Sequence, residues 1–106
     1  MSLLEAGPHS VHELVVPDVG VIVSKKVLSA EGGRVVLFAF GAGEGLSEHT
    51  TPYEAMLVLT EGRARVGVAG VEAEVAAGQI IALPAGVPHS VHALEPVRLV
   101  LIMVKA

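Results

Sequence analysis

Five histidines, scattered carboxylates and no cysteine define the chemistry open to this 106-residue chain. Two histidines stand where strand and turn signals meet. His49 opens the apolar run Tyr53–Thr60, and His89 directly follows the turn Pro84-Ala85-Gly86-Val87-Pro88. Side chains alternate sides along a strand. If His49 faces inward, Thr51 and Ala55 share its face, and Glu54 looks the other way. His89 likewise shares a face with Val91 and Ala93, and His92 opposes it. Two inward imidazoles on neighbouring strands could hold a metal ion, although a catalytic site usually takes three protein ligands. The same pair also reads as two buried, hydrogen-bonded imidazoles at a barrel mouth. Ser47, Ser90 and Thr51 lie near these histidines, but no oriented acidic partner accompanies them, so nucleophilic catalysis has no support. His9 and His12 are a weaker pair of ligand candidates.

The elements that would position these groups are strands. The hydrophobic fraction is 52%, but aromatics make up only 3%, as Phe38, Phe40 and Tyr53. An aliphatic core rich in Val and Ile suits pleated, half-buried surfaces. Turn signals recur every 8 to 12 residues from Gly20 onward, the spacing of a β-sandwich or barrel. Strands are expected at Val21–Leu28, Arg34–Phe40, Tyr53–Thr60, Ala64–Val68, Val71–Val75, Ile80–Leu83, His89–Ala93 and Val97–Val104. The clearest unit is a hairpin whose loop, Ala69-Gly70, pairs Val68 with Val71 and Arg65 with Glu74. One of its faces is apolar, and the other sets opposite charges across from each other.

Arg34–Phe40 and Val97–Val104 differ, being apolar on both parities, so both their faces must be covered. The barrel interior covers one. A second copy of the chain, making a homodimer, or the N-terminal segment folded back, would cover the other. Residues 1–20 read as an N-terminal arm, extended or loosely packed, and 21–106 as one barrel domain.

Net charge is −4 with no basic patch, which argues against a nucleic-acid partner. Without cysteine, disulfides and thiolate metal sites are excluded. No window approaches the roughly 20 apolar residues that cross a bilayer. The start lacks the pattern of a signal peptide, so a cytoplasmic location is the default expectation. There is no Asn and only one Gln, Gln79, a depletion that fits either a thermophilic source or a codon bias.

Two segments, Gly43 to Gly62 and Gly78 to Ala93, resemble the paired motifs of the cupin superfamily, and the resemblance spans roughly residues 35 to 104. The second motif fits at Gly78, Pro84, Gly86 and His89, with Ala93 at its Asn position. The first fits at Gly43, His49 and Gly62, but has Thr51 at its second His and Ala55 at its Glu. The resemblance implies an all-β fold, a single small antiparallel β-barrel or jelly roll. In metal-dependent cupins three His and one Glu bind iron, manganese, zinc, nickel or copper. Carried across residue by residue, that leaves His49 and His89, with Glu54, Glu48 and His92 as weaker candidates because of their facing. A bulge near Pro52 could turn Glu54 inward.

Two functions follow. One is a small-molecule-binding cupin with at most a weakly, partially held divalent metal and no nucleotide cofactor, its pocket lined from Phe38, Phe40, Thr51, Tyr53 and Met56. The other is a metal-dependent dioxygenase or isomerase with an unconventional ligand set. Fold alone does not choose between them.

Overall fold

The computed structural model describes residues 7–106. A single helical turn, α1 (Val11–Leu14), precedes nine strands. These are β1 (Ile22–Ala30), β2 (Gly33–Phe40), β3 (Gly45–His49), β4 (Tyr53–Glu61), β5 (Arg63–Val68), β6 (Val71–Ala76), β7 (Ile80–Leu83), β8 (His89–Ala93) and β9 (Val97–Lys105). They form a five-stranded sheet, β1-β2-β9-β4-β7, and a four-stranded sheet, β3-β8-β5-β6. Every strand pairing is antiparallel. Two antiparallel sheets packed on a shared core make a jelly roll.

The expected hairpin is β5–β6, with Val68 opposite Val71 and Arg65 opposite Glu74. Its apolar face is buried only near the base, at Ala64, Val66 and Val75, whereas Val71 at the tip is 71% exposed. The ion pair runs diagonally, from Arg63 to Glu74 at 2.9 Å, and Arg63 also reaches Glu95. The four motif glycines, Gly43, Gly62, Gly78 and Gly86, all have positive φ. Gly62 is constrained twice, since a Cβ there would also meet the Pro96 carbonyl oxygen. A β-carbon is therefore excluded by contact as well as by conformation.

The main core lies between the sheets and gathers Phe40, Leu57, Leu59, Val66, Val91, Val97 and Leu99. Truncating a fully buried leucine such as Leu59 costs about 2–5 kcal/mol. A second cluster sits on the outer face of the large sheet, where Val15 packs with Val27, Leu37 and Ala39. β2 and β9 do bury residues of both parities. The segment before β1 is not loose where it crosses this face, because Val15 is 1% exposed. The underlying reason is Arg98, a charge 9% exposed on the outer parity of β9. A buried guanidinium must be paired. It donates to the carbonyls of Val15 and His12 and to the Glu61 carboxylate. His12 lies beside the same carboxylate, at 3.7 Å.

Candidate functional site: a histidine pair at the barrel mouth

β8 delivers His89. Its residues His89, Val91 and Ala93 are buried, while His92 is exposed on the opposite face. His49 arrives by a route the sequence did not reveal. It is the last residue of β3, which among the described residues is an edge strand of the smaller sheet, paired with β8. A bulge between Leu46 and His49 shifts the register, so that His49 comes to lie opposite His89. The strand alternation expected from His49 through Ala55 therefore does not exist. The chain crosses from one sheet to the other at residues 50–52, and β4 begins only at Tyr53. His49 faces the mouth because of the bulge, not because of parity shared with Ala55.

The two rings meet edge to face, with centroids 4.4 Å apart and planes at 68°. Each is fixed in the same manner. His49 Nδ1 is 2.7 Å from the Ser47 carbonyl oxygen, and His89 Nδ1 is 3.2 Å from that of Val87. A carbonyl only accepts, so both Nδ1 atoms carry the proton and donate. In each neutral ring Nε2 is then the nitrogen with the free lone pair. Metal-binding histidines are commonly oriented by such a bond from the other ring nitrogen. Burial pushes the pKa of His89 below 6.5, and nearby His49 acts in the same direction; the Val87 carbonyl opposes them. Burial thus favours the neutral form of His89, which is 5% exposed. His49 stands open to solvent at the rim.

The space beneath the rings is small and apolar. It is lined by Phe38, Leu46, Leu57, Leu83, Val91, Leu99 and Leu101 besides the histidines, and its free volume is about 20 Å³. That is on the scale of one water molecule. The rest of the expected pocket is distributed differently. Phe38 lines the cavity, and Phe40 is sealed in the core. Thr51 and Tyr53 lie outside the lining: the Thr51 hydroxyl bonds the Tyr53 backbone, and the Tyr53 hydroxyl accepts from Arg34. Met56 was expected in the pocket and instead lines an open groove on the opposite face of β4. β4 pairs regularly with β7 and β9 across this position, so alternation holds and Met56 points away from Leu57.

Glu54 also belongs to the outer face. Its register shows no bulge to turn it inward, and its carboxylate accepts the Ala85 backbone N–H at 2.6 Å. Among the described residues no group of three or more histidines and carboxylates is placed to hold a metal.

A small jelly roll with a histidine pair at one mouth is the architecture of a cupin. The model of the cupin domain matches residues 36–105, and the chain belongs to this family. A conserved protein of unknown function from Streptococcus pyogenes is similar at TM-score 0.92 and 24% identity, over 100% of this chain and 93% of that one. A cupin superfamily protein from Desulfitobacterium hafniense gives 0.91 and 16%, over 100% and 97%. A cupin 2 conserved barrel domain protein from Leptotrichia buccalis gives 0.84 and 32%, over 88% of this chain and 45% of that one. No curated protein matches. The full centre of three His and one Glu does not fit this chain. Thr51 and Ala55 supply neither missing donor, and the Glu54 carboxylate is held outside the barrel by Ala85.

Proposed function

We propose that this cupin is a binding protein rather than a metal enzyme, and that His49 and His89 hold a divalent transition ion weakly, together with a small exogenous ligand. The observation that carries the reading is the matched orientation of the rings, each Nδ1 tied to a carbonyl two residues upstream. Imidazole pairs suit zinc, nickel, copper and iron better than magnesium or calcium. Two protein ligands leave most coordination positions to water or to donor atoms of the ligand, which makes the ion easy to remove. The free volume of about 20 Å³ admits an ion or a water, so the body of an organic ligand would rest outside, against exposed His49.

The test is calorimetric titration of untagged protein with Ni²⁺ and Zn²⁺. Weak binding, reversed by EDTA and abolished by His49→Ala and by His89→Ala, is the expected result. Stoichiometric metal retained by the double variant would place the site elsewhere and end the proposal.

The same reading includes a homodimer. The arm covers the β1–β2 half of the outer sheet face, where Val15 sits on Leu37 and Ala39. The β9-β4-β7 half carries an open groove of about 510 Å³, lined by Met56, Val58, Ile80, Ala82, Ile102 and Val104 among others. Ile80 and Val104 are 61% and 54% exposed. A second groove, past Leu28 and Val35, shares Ile102 and Val104 with the first. Contiguous apolar surface of this kind is uncommon on monomers. Among the described residues Glu54 is the one ionisable group lining the main groove, and its carboxylate is already bound to Ala85. A second copy therefore meets this face without the charge repulsion that a net charge of −4 creates elsewhere.

A further inference from the structure

We infer that Glu54 is a positioning residue for His89, acting through the turn that carries it; this rests on His89 being a binding group, as proposed above. The β4–β7 ladder pairs Ala55 with Leu83, and its continuation would set Glu54 opposite Pro84. Proline has no N–H, so the ladder stops there. The next N–H, that of Ala85, has no strand to pair with, and the Glu54 side chain takes it at 2.6 Å. The Gly86 N–H goes to the Thr51 carbonyl at 2.8 Å, and the Val87 N–H closes the turn onto Pro84 at 3.2 Å. The Pro88 carbonyl accepts from Ala69 at 2.9 Å. The carbonyl of Val87, inside this same turn, is the acceptor that fixes the His89 ring.

The linkage is short and directional. Glu54 holds Ala85, Ala85 sets the course of the turn, and Val87 two residues later dictates which nitrogen of His89 carries the proton. A carboxylate accepting a backbone N–H makes a stronger bond than a neutral acceptor. Glu54 thus touches neither the ring nor any bound ion, yet it selects the form of His89 in which Nε2 is bare. The carboxylate that lies one position before the family's ligand Glu acts from outside the barrel, on the loop instead of in the mouth.

Two variants test this, Glu54→Ala and Glu54→Gln, since glutamine keeps an oxygen acceptor at the same reach. Three quantities are measured: amide exchange of Ala85, the ¹⁵N resonances of the His89 ring in metal-free protein, and Ni²⁺ affinity. Glu54→Ala is expected to speed exchange at Ala85, to mix the two tautomers of His89, and to weaken Ni²⁺ binding roughly two- to tenfold, the worth of one hydrogen bond. Glu54→Gln is expected to restore most of each. An unchanged His89 spectrum in folded Glu54→Ala protein overturns the inference. Absence of Ni²⁺ binding in the unmutated protein would instead defeat the proposed metal site, and the ring spectrum would still decide the role of Glu54.

Discussion

Arg98 Nε donates to the Val15 carbonyl at 2.8 Å, joining residues 83 apart in the chain. The contact fixes the segment before β1 onto the outer face of the large sheet. It also explains how a charged residue can occupy a position 9% exposed on β9.

Replacing Arg98 by Met would keep much of its volume and remove all three of its partners. Stability is expected to fall by about 1.5–3 kcal/mol in urea denaturation, because the Val15 and His12 carbonyls lose a charged donor. Limited proteolysis should then cut before residue 20 sooner than in the unmutated chain. A stability within about 0.5 kcal/mol of the original would mean that apolar packing of Val15 alone holds the segment.

Acid should destabilise the metal-free protein through His89. Burial lowers its pKa in the folded state below the ordinary 6.5, which the unfolded chain retains. Between these two values the unfolded state binds more protons, so stability rises with pH across that window. The contribution is complete above about pH 6.5 and is lost as pH falls through the folded value. Urea midpoints measured from about pH 7.5 down to about pH 5 should therefore decline, and His89→Gln should flatten the decline. An identical slope in that variant would assign the effect to other groups.

The β5–β6 turn leaves room for improvement. Ala69 has φ +53°, and Gly70 beside it also has positive φ. Two positive φ angles define the type I′ hairpin turn, which favours Asn-Gly. Ala69→Asn is expected to raise stability by about 0.5–1 kcal/mol and to leave the fold unchanged. A lower melting temperature would count against this account of the turn.

Light scattering at micromolar concentration should give twice the mass of one chain. Ile102→Lys, in the groove on the β9-β4-β7 half of this face, should halve that mass, whereas Val71→Lys at the exposed hairpin tip should not. Monomer in both the parent and the variant would show that the groove has another occupant or none.

Lys substitution at Val100 offers a further comparison. Val100 shares the outer parity of Ile102 but packs against the cluster around Val15. Its replacement should lower stability of the chain itself, seen in urea denaturation, and not dimerisation alone. Equal effects of the two substitutions on both properties would mean that the arm and the groove are not separate halves of this face.

Much of the molecule was legible from local pattern. Alternation along one unbroken strand is a property of the backbone, so the facing of His89 against His92 followed from sequence alone. Glu54 does oppose Ala55 within β4, but the alternation from His49 that would set their facing is broken at residues 50–52. Turn glycines with positive φ and the register of the β5–β6 hairpin are equally local, set within a few residues. Strand β3 carries little strand signal, because its five residues contain one large apolar side chain, Leu46, and a bulge breaks its alternation. Met56 is apolar like the cavity residues, but its parity on β4 places it on the outer face, so residue type alone does not locate it. Contacts that cross from sheet to sheet depend on where non-local pairing closes the chain, and no short window carries that information. Sequence thus determined the cupin barrel and its two histidines. Tertiary structure decided that His49 meets His89 across β3 and β8, that Arg98 holds the segment around Val15, and that Glu54 serves the turn rather than the mouth.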